Sequence, residues 1–193
     1  MKITLPSLIA ILLITITGCS KTVTTTDPAL IIPIPNGDFE NWDGWPSPLD
    51  WRTNSCPPCV GPFDEYIIKQ DAAAYHGSFA ANFIYNFHLA PKAENKFYIS
   101  AHPTELVGHI KCSMPPLDTV SIIIKLYNGN AMVDSGQWIG TTSIANFSEL
   151  RIPLTQNAAN ADSAYIKIQG GHKAASLTST TQFWVDDFFF EKF

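Results

Sequence analysis

Charge is what this chain has least of. Lys, Arg, Asp and Glu make up 15% of its 193 residues, against the ~25% usual for soluble domains. The 12 basic and 17 acidic residues leave a net charge of −5, and no Lys/Arg cluster occurs along the sequence. Phosphate recognition needs a concentrated basic surface, so neither nucleic acid nor anionic lipid is expected as a partner. Catalytic signatures are missing as well. There is no G-x-S-x-G elbow, P-loop or dinucleotide fingerprint. His76, His88, His102, His109 and His172 are scattered without a close metal-ligand pair, which points to isolated surface or packing roles. No repeat of useful length appears, and no convincing helical pattern interrupts the mature chain. The apolar run near the start, even counted from Ile3, is Thr-interrupted and short of the ~20 residues of a membrane span.

What that run does carry is a processing signal. Lys2 gives a basic start, Leu8 to Ile16 an apolar stretch, and Ile16-Thr17-Gly18-Cys19 a close in small residues before a cysteine. The pattern resembles the lipobox of bacterial lipoproteins. That resemblance implies cleavage after Gly18, lipidation of the Cys19 thiol and acylation of the new amino group, a combination that anchors a protein firmly. An ordinary secretory signal with an incidental Cys19 is the alternative. Residues 1–19 therefore stay outside the fold, and 20–32, polar and Thr-rich at its start, reads as a tether. Residues 33–193 are left for one domain with a full core.

Strand signals fill that domain. In Thr119 to Tyr127, Val120, Ile122, Ile124 and Leu126 would face one way and Ser121, Ile123, Lys125 and Tyr127 the other, the period of a half-buried strand. Asn128-Gly129 follows as a hairpin turn. Further strands are expected over 66–70, 79–87, 106–114, 131–134, 137–140, 147–154, 164–169 and 182–191. Turns at Pro115-Pro116 and Gly170-Gly171 space them as in a sandwich rather than in βαβ units. The expected fold class is all-β, an antiparallel β-sandwich.

The two ends of the domain are the next informative feature. It opens with Ile34-Pro35-Asn36-Gly37-Asp38-Phe39-Glu40-Asn41-Trp42 and closes with Phe183-Trp184-Val185-Asp186-Asp187-Phe188-Phe189-Phe190. This pairing resembles the carbohydrate-binding-module-like jelly rolls of galactose-binding-like type. A closer likeness is to the lipoproteins termed "putative carbohydrate metabolism domain" proteins, through Pro48-Leu49-Asp50-Trp51, Gly77-Ser78-Phe79-Ala80-Ala81, Gly108-His109-Ile110-Lys111 and Ala161-Asp162-Ser163-Ala164 in that order. His109-Ile110 stands where that pattern has aromatics.

In an extended opening strand Phe39 would enter the core while Asp38 and Glu40 share the other face. The resemblance implies that the terminal strands lie side by side, so that Asp38, Glu40 and Asp186 could form an oxygen cage for a structural Ca²⁺. The alternative is that these acids are solvated or capped by backbone amides. Sugar recognition would use aromatic rings not needed inside, with amides meeting hydroxyls. Trp42, Trp51 and Trp184 read as packing. The candidate binding residues are therefore Trp45, Trp138, Tyr127, Tyr85, Asn82 and Gln137.

Lipidation of Cys19 would leave Cys56, Cys59 and Cys112 in an oxidising compartment. With trans prolines, Cys56-Pro57-Pro58-Cys59 favours polyproline geometry, separating the outer Cα atoms by roughly 9 Å where a disulfide needs less than about 7 Å. Either a turn closes that pair, or Cys112 bridges to Cys56 or Cys59. A zinc site of these cysteines with His109 fits ligand number but suits such a compartment poorly.

The expected protein is a non-catalytic, lipid-anchored glycan-binding protein of the bacterial envelope, at the outer membrane, with a polysaccharide or oligosaccharide as ligand. The rival is a structural or protein-interaction lipoprotein using the same sandwich as a scaffold for an envelope partner. The anchor is testable at once. Cys19→Ala should abolish lipid labelling and membrane association, and mature labelled protein in the variant would reject the lipobox reading.

Overall fold

The computed structural model describes residues 30–43, 47–55, 67–85, 90–155, 160–171 and 181–192. The signal with Cys19, most of the tether, Trp45, Cys56 and Cys59 lie outside the described residues. The described elements are all strands: β1 (Leu30–Pro33), β2 (Arg52–Thr53), β3 (Ile68–Asp71), β4 (Ala80–Ile84), β5 (Lys92–Tyr98), β6 (Glu105–Ser113), β7 (Val120–Asn128), β8 (Ala131–Gly140), β9 (Ile144–Pro153), β10 (Ser163–Gly170) and β11 (Gln182–Lys192). They form two antiparallel sheets, a jelly-roll β-sandwich. One sheet runs β3-β4-β11-β6-β9 with β1 also on β11, and the other runs β2-β5-β10-β7-β8.

The alternation read in β7 holds. Val120, Ile122, Ile124 and Leu126 are fully buried, as are Ala164, Ile166 and Ile168 opposite them on β10. The other sheet answers with Leu106 and Ile110 from β6, Phe83 from β4 and Phe183, Val185 and Phe190 from β11. Phe83 and Phe183 stack with centroids 4.6 Å apart. Each such Ile, Leu or Phe contributes roughly 1.5–3 kcal/mol on burial, so the two facing rows are the principal stabilising feature.

Several boundaries differ from expectation for identifiable reasons. β1 begins inside the stretch assigned to the tether, because Leu30 to Pro33 pair with Phe189 to Lys192. The segments expected at 131–134 and 137–140 are one strand, and Gly136 is what permits it. A Cβ there would press on the Pro153 carbonyl, Ile152 and Leu154 of the other sheet's edge. β5 has no counterpart among the expected strands. Its inward residues are Ala93, Asn95 and Phe97, and the buried Asn95 breaks the apolar alternation. That amide is satisfied by donating to the Pro35 carbonyl at 3.1 Å.

The opening motif is a turn rather than a strand. Asn36 and Phe39 have φ of 45° and 52°, and residues 35–38 turn. Phe39 still reaches the core, fully buried against Trp51 at 5.1 Å. Cys112 also faces the core, where its free thiol donates to the Thr142 carbonyl at 3.5 Å and burial pushes its pKa up. Cys112 is thus a free thiol among the described residues, while Cys56 and Cys59, its expected partners, lie outside them.

Asp134 staples β8 to the rest. Its carboxylate accepts from the amide and hydroxyl of Thr155 and the Ser135 amide, and meets His102 Nε2 at 3.0 Å. Burial alone would raise its pKa, but the Thr155, His102 and Ser135 hydrogen bonds outweigh that and hold it below the ordinary value. A carboxyl with a depressed folded pKa adds stability above its unfolded pKa and loses it as pH falls through the folded value. Asp134→Asn should therefore cost about 1–3 kcal/mol at neutral pH and reduce the loss of stability below about pH 4. Denaturant titrations at the two pH values test this, and an unchanged acid slope in the variant would refute it.

Candidate functional site

The outer face of each sheet could carry a site, and the two differ in kind. On the β11 sheet the outer face is closed by its own contacts. Asn82 is buried, donates to Asp71 Oδ2 at 2.7 Å and accepts from Gln182 Nε2 at 3.2 Å. Trp184 donates from Nε1 to the same Asp71 oxygen at 2.9 Å and lies under the Lys111 ammonium at 4.4 Å. Trp184 thus sits on the outer face rather than in the core.

Beyond Trp184, β11 gains a residue. Asp186 pairs with His109 but Phe189 pairs with Val107, a bulge in which Asp187 has φ 55°. Plain alternation leaves Asp186 outward, and the extra residue after it turns Phe188 inward. The connection 72–79 then folds over Asp186. The Tyr75 and His76 amides donate to Asp186 Oδ2 at 2.7 and 3.0 Å, and Tyr75 stacks on His109 with centroids 3.4 Å apart. Glu40 holds the same connection further along, accepting from the Ser78 and Phe79 amides at 2.7 and 2.9 Å. Gly77 between them has φ 70°, and a Cβ there would strike the Glu40 carboxylate.

Glu40 and Asp186 therefore clamp one loop through backbone amides. Asp38 does not join them, because the turn leaves it exposed beside the Glu40 amide at 3.5 Å. Among the described residues no three His, Cys, Asp or Glu side chains are placed to hold an ion together, so the three-carboxylate cage is not assembled. What supports calcium is the opening motif and one further observation: Asp186 Oδ1 is buried without a hydrogen-bond partner. Burial pushes the Asp186 carboxyl up despite the His76 and Tyr75 amides.

The outer face of the β10 sheet is open. Strand register sets its rows: Tyr98, Ser163 and Tyr127 lie side by side, then Lys96, Tyr165, Lys125 and Ser135, then Glu94, Lys167, Ile123 and Gln137. Tyr98 is 90% exposed. Tyr165 donates to Glu94 Oε1 at 2.8 Å, and burial together with that carboxylate pushes its pKa up to about 12, so it remains a phenol. Glu94 is held below the usual carboxylate range by the Tyr165 hydrogen bond and by Lys92 at 3.4 Å, despite burial. At the tyrosine end a recess of about 530 Å³ is lined by Lys96, Tyr98, Gly129, Asn130, Asp162 and Ser163. Hydroxyl donors and acceptors, an amide, a carboxylate and flat rings thus converge at one end of this face.

The sequence-derived binding set does not come together. Tyr127 and Gln137 share this face, but Trp138 pairs with Ile122 and packs on the core side. Asn82 belongs to the opposite sheet, and Tyr85 follows β4 with its ring against Gly171. Tyr98, Tyr165 and Lys96 were missed. Two of them lie on the unexpected β5, while Tyr165 was one polar position in an alternation that did mark a strand.

No family model and no curated protein matches the chain. Among solved structures it is similar to a Bacteroides vulgatus protein described as a "putative glycoside hydrolase", at 10% identity over 84% of this chain and 94% of that one, with a TM-score of 0.54. It is also similar to the K2 cleaved adhesin domain of Lys-gingipain, at 12% identity over 84% and 97% with a TM-score of 0.50. TmCBM61, solved in complex with beta-1,4-galactotriose, aligns at 13% identity over 80% and 90% with a TM-score of 0.46. At these identities the likeness shows the fold alone.

The loop clamp gives a two-sided test. If amide capping is the whole role of Glu40, Glu40→Gln should lower the melting temperature equally in chelator and in calcium, by the ~1–3 kcal/mol of lost charged acceptors. A calcium-dependent rise in melting temperature that Glu40→Gln abolishes would assign the carboxylates to an ion instead.

Proposed function

We propose that this protein is a non-catalytic, lipid-anchored glycan-binding protein of the bacterial envelope, at the outer membrane, and that it binds polysaccharide on the outer face of the β10 sheet. The carrying observation is Tyr98, exposed in a row with Tyr127 beside a recess lined by Asn130, Ser163 and Asp162, whose carboxylate accepts one bond at each oxygen, from Ser163 and Gly129, and keeps further lone pairs for a hydroxyl. Rings supply flat contact to the apolar face of a sugar, and polar groups set its orientation. Glu94, engaged by Tyr165 and Lys92, suits binding better than proton donation, which needs a carboxyl with a raised pKa. The Ile16-Thr17-Gly18-Cys19 signal is what supports the lipid anchor. A structural calcium at Glu40 and Asp186 is part of the same proposal.

A protein-interaction scaffold is the second reading. Leu30 and Ile31, 55% and 60% exposed on β1, are the observation that favours it. Paired measurements separate the two. Tyr98→Ala should weaken binding to a polysaccharide selected on a glycan array several-fold, on the ~0.5–1.5 kcal/mol scale of an aromatic contact, with an unchanged melting temperature. Trp138→Ala should instead destabilise, by as much as ~3–5 kcal/mol for a well-packed ring. No glycan bound by the parent protein would leave the scaffold reading in place.

A further inference from the structure

Strand pairing gathers on the β10 sheet's outer face basic residues that are far apart in sequence. Arg52, Lys92, Lys96, Lys125 and Lys167 all project there, five of the chain's 12 Lys and Arg, and among the described residues of this face Glu94 and, in the recess at its tyrosine end, Asp162 oppose them. The opposite face is balanced differently. There Arg151 is bridged to Glu105, Glu149 and Glu191 within 2.8 Å, and Lys111 lies over Trp184. A chain of net charge −5 thus presents one sheet face on which basic residues outnumber acidic ones.

The arrangement around Tyr165 is specific. Lys96 and Lys125 are its two cross-strand neighbours in one row, and Lys167 is two residues along on the same strand face. Neighbouring strands lie about 4.8 Å apart, so Lys96 and Lys125 are separated at the backbone by roughly 10 Å, and their flexible side chains can converge above the ring. Glu94 is engaged by Lys92 and Tyr165. Among the described residues neither Lys96 nor Lys125 forms an ion pair. Like charges gathered this way repel, and an anion seated between them relieves the repulsion.

We propose that the ligand of this face is an anionic polysaccharide, its carboxylate or sulfate groups bound by Lys96 and Lys125 on either side of Tyr165, a proposal that rests on the glycan reading of the same face. The acceptors at the site favour a sugar over a polyphosphate. Asp162 lines the recess and Glu94 lies one row away. Both can accept hydroxyls, which a polysaccharide presents on each sugar and duplex DNA, with its sugar oxygens taken up in phosphodiester bonds, does not.

Binding of the purified protein should be measured to polygalacturonate, dextran sulfate, a neutral galactan, duplex DNA and phosphatidylglycerol vesicles, at low ionic strength and at about 0.5 M salt. The expected result is binding to one or both acidic polysaccharides, weakened by salt, and reduced roughly tenfold or more in the Lys96→Gln/Lys125→Gln double variant. The Lys96→Arg/Lys125→Arg variant should retain most of it, and melting temperatures of both variants report that the fold is kept. Carboxylate and sulfate preference is decided by which of the two acidic polymers binds. Galactan bound as tightly as polygalacturonate, with the double Gln variant unaffected, would overturn the anionic ligand and leave the glycan reading standing. Binding to DNA or vesicles with no polysaccharide bound would overturn both.

Discussion

One extra residue in β11 sets the positions of most other features on its sheet. Without it, the alternation that puts Phe183 and Val185 inside would carry the charged Asp187 into the core. The bulge turns Phe188 and Phe190 inward instead. Two close approaches follow. The Phe188 amide donates to the Gly37 carbonyl at 2.8 Å, tying the opening turn to the closing strand, and the Phe188 ring occupies the space over Gly108 that any Cβ would fill. The strand order of the sheet, with β4 and β1 in succession along one edge of β11 and β6 along the other, places this irregular point at its centre. Asp186, outward by the alternation that precedes the bulge, anchors the 72–79 connection that covers the sheet.

Buried polar groups do the locating that apolar packing leaves undone. Apolar contact is non-directional, so two facing rows of Ile, Leu and Phe would tolerate several slips of one sheet over the other. Asn95 on Pro35, Asp134 on Thr155 and His102, and the buried Thr181 hydroxyl on Asp118 each join segments far apart in sequence through directional bonds. A slip would strand each of these groups, at a cost comparable to several buried methylenes.

The two outer faces divide accordingly. The β11 sheet uses its outer polar groups on itself, with Asp71 shared between Asn82 and Trp184 and Arg151 among three glutamates. Among the described residues the β10 sheet leaves Tyr98, Lys96 and Lys125 uncommitted, beside a recess. Contacts already satisfied within the chain have little to offer a ligand, which is why the second face carries the functional argument.

Sequence alone determined what depends on near neighbours. The β7 alternation, a hairpin after it, Phe39 and Trp51 as core residues and the sandwich class were all legible, because a strand's two-residue period and a turn's backbone needs are local; the hairpin's loop is Gly129-Asn130, one residue beyond the expected Asn128-Gly129. The same locality explains the misreadings. Asn95 hid β5, since an inward amide looks like a break in the pattern until Pro35 is seen to satisfy it. Trp138 looked like a ring not needed inside until its pairing with Ile122 fixed it on the core side. Asp38 and Glu40 seemed to share a strand face until positive φ at Asn36 and Phe39 made that segment a turn. The chain also shows no basic cluster along its length, yet five cations meet on one face. Which residues share a face across strands is decided by long-range hydrogen-bond register, and that register exists only in the folded sheet.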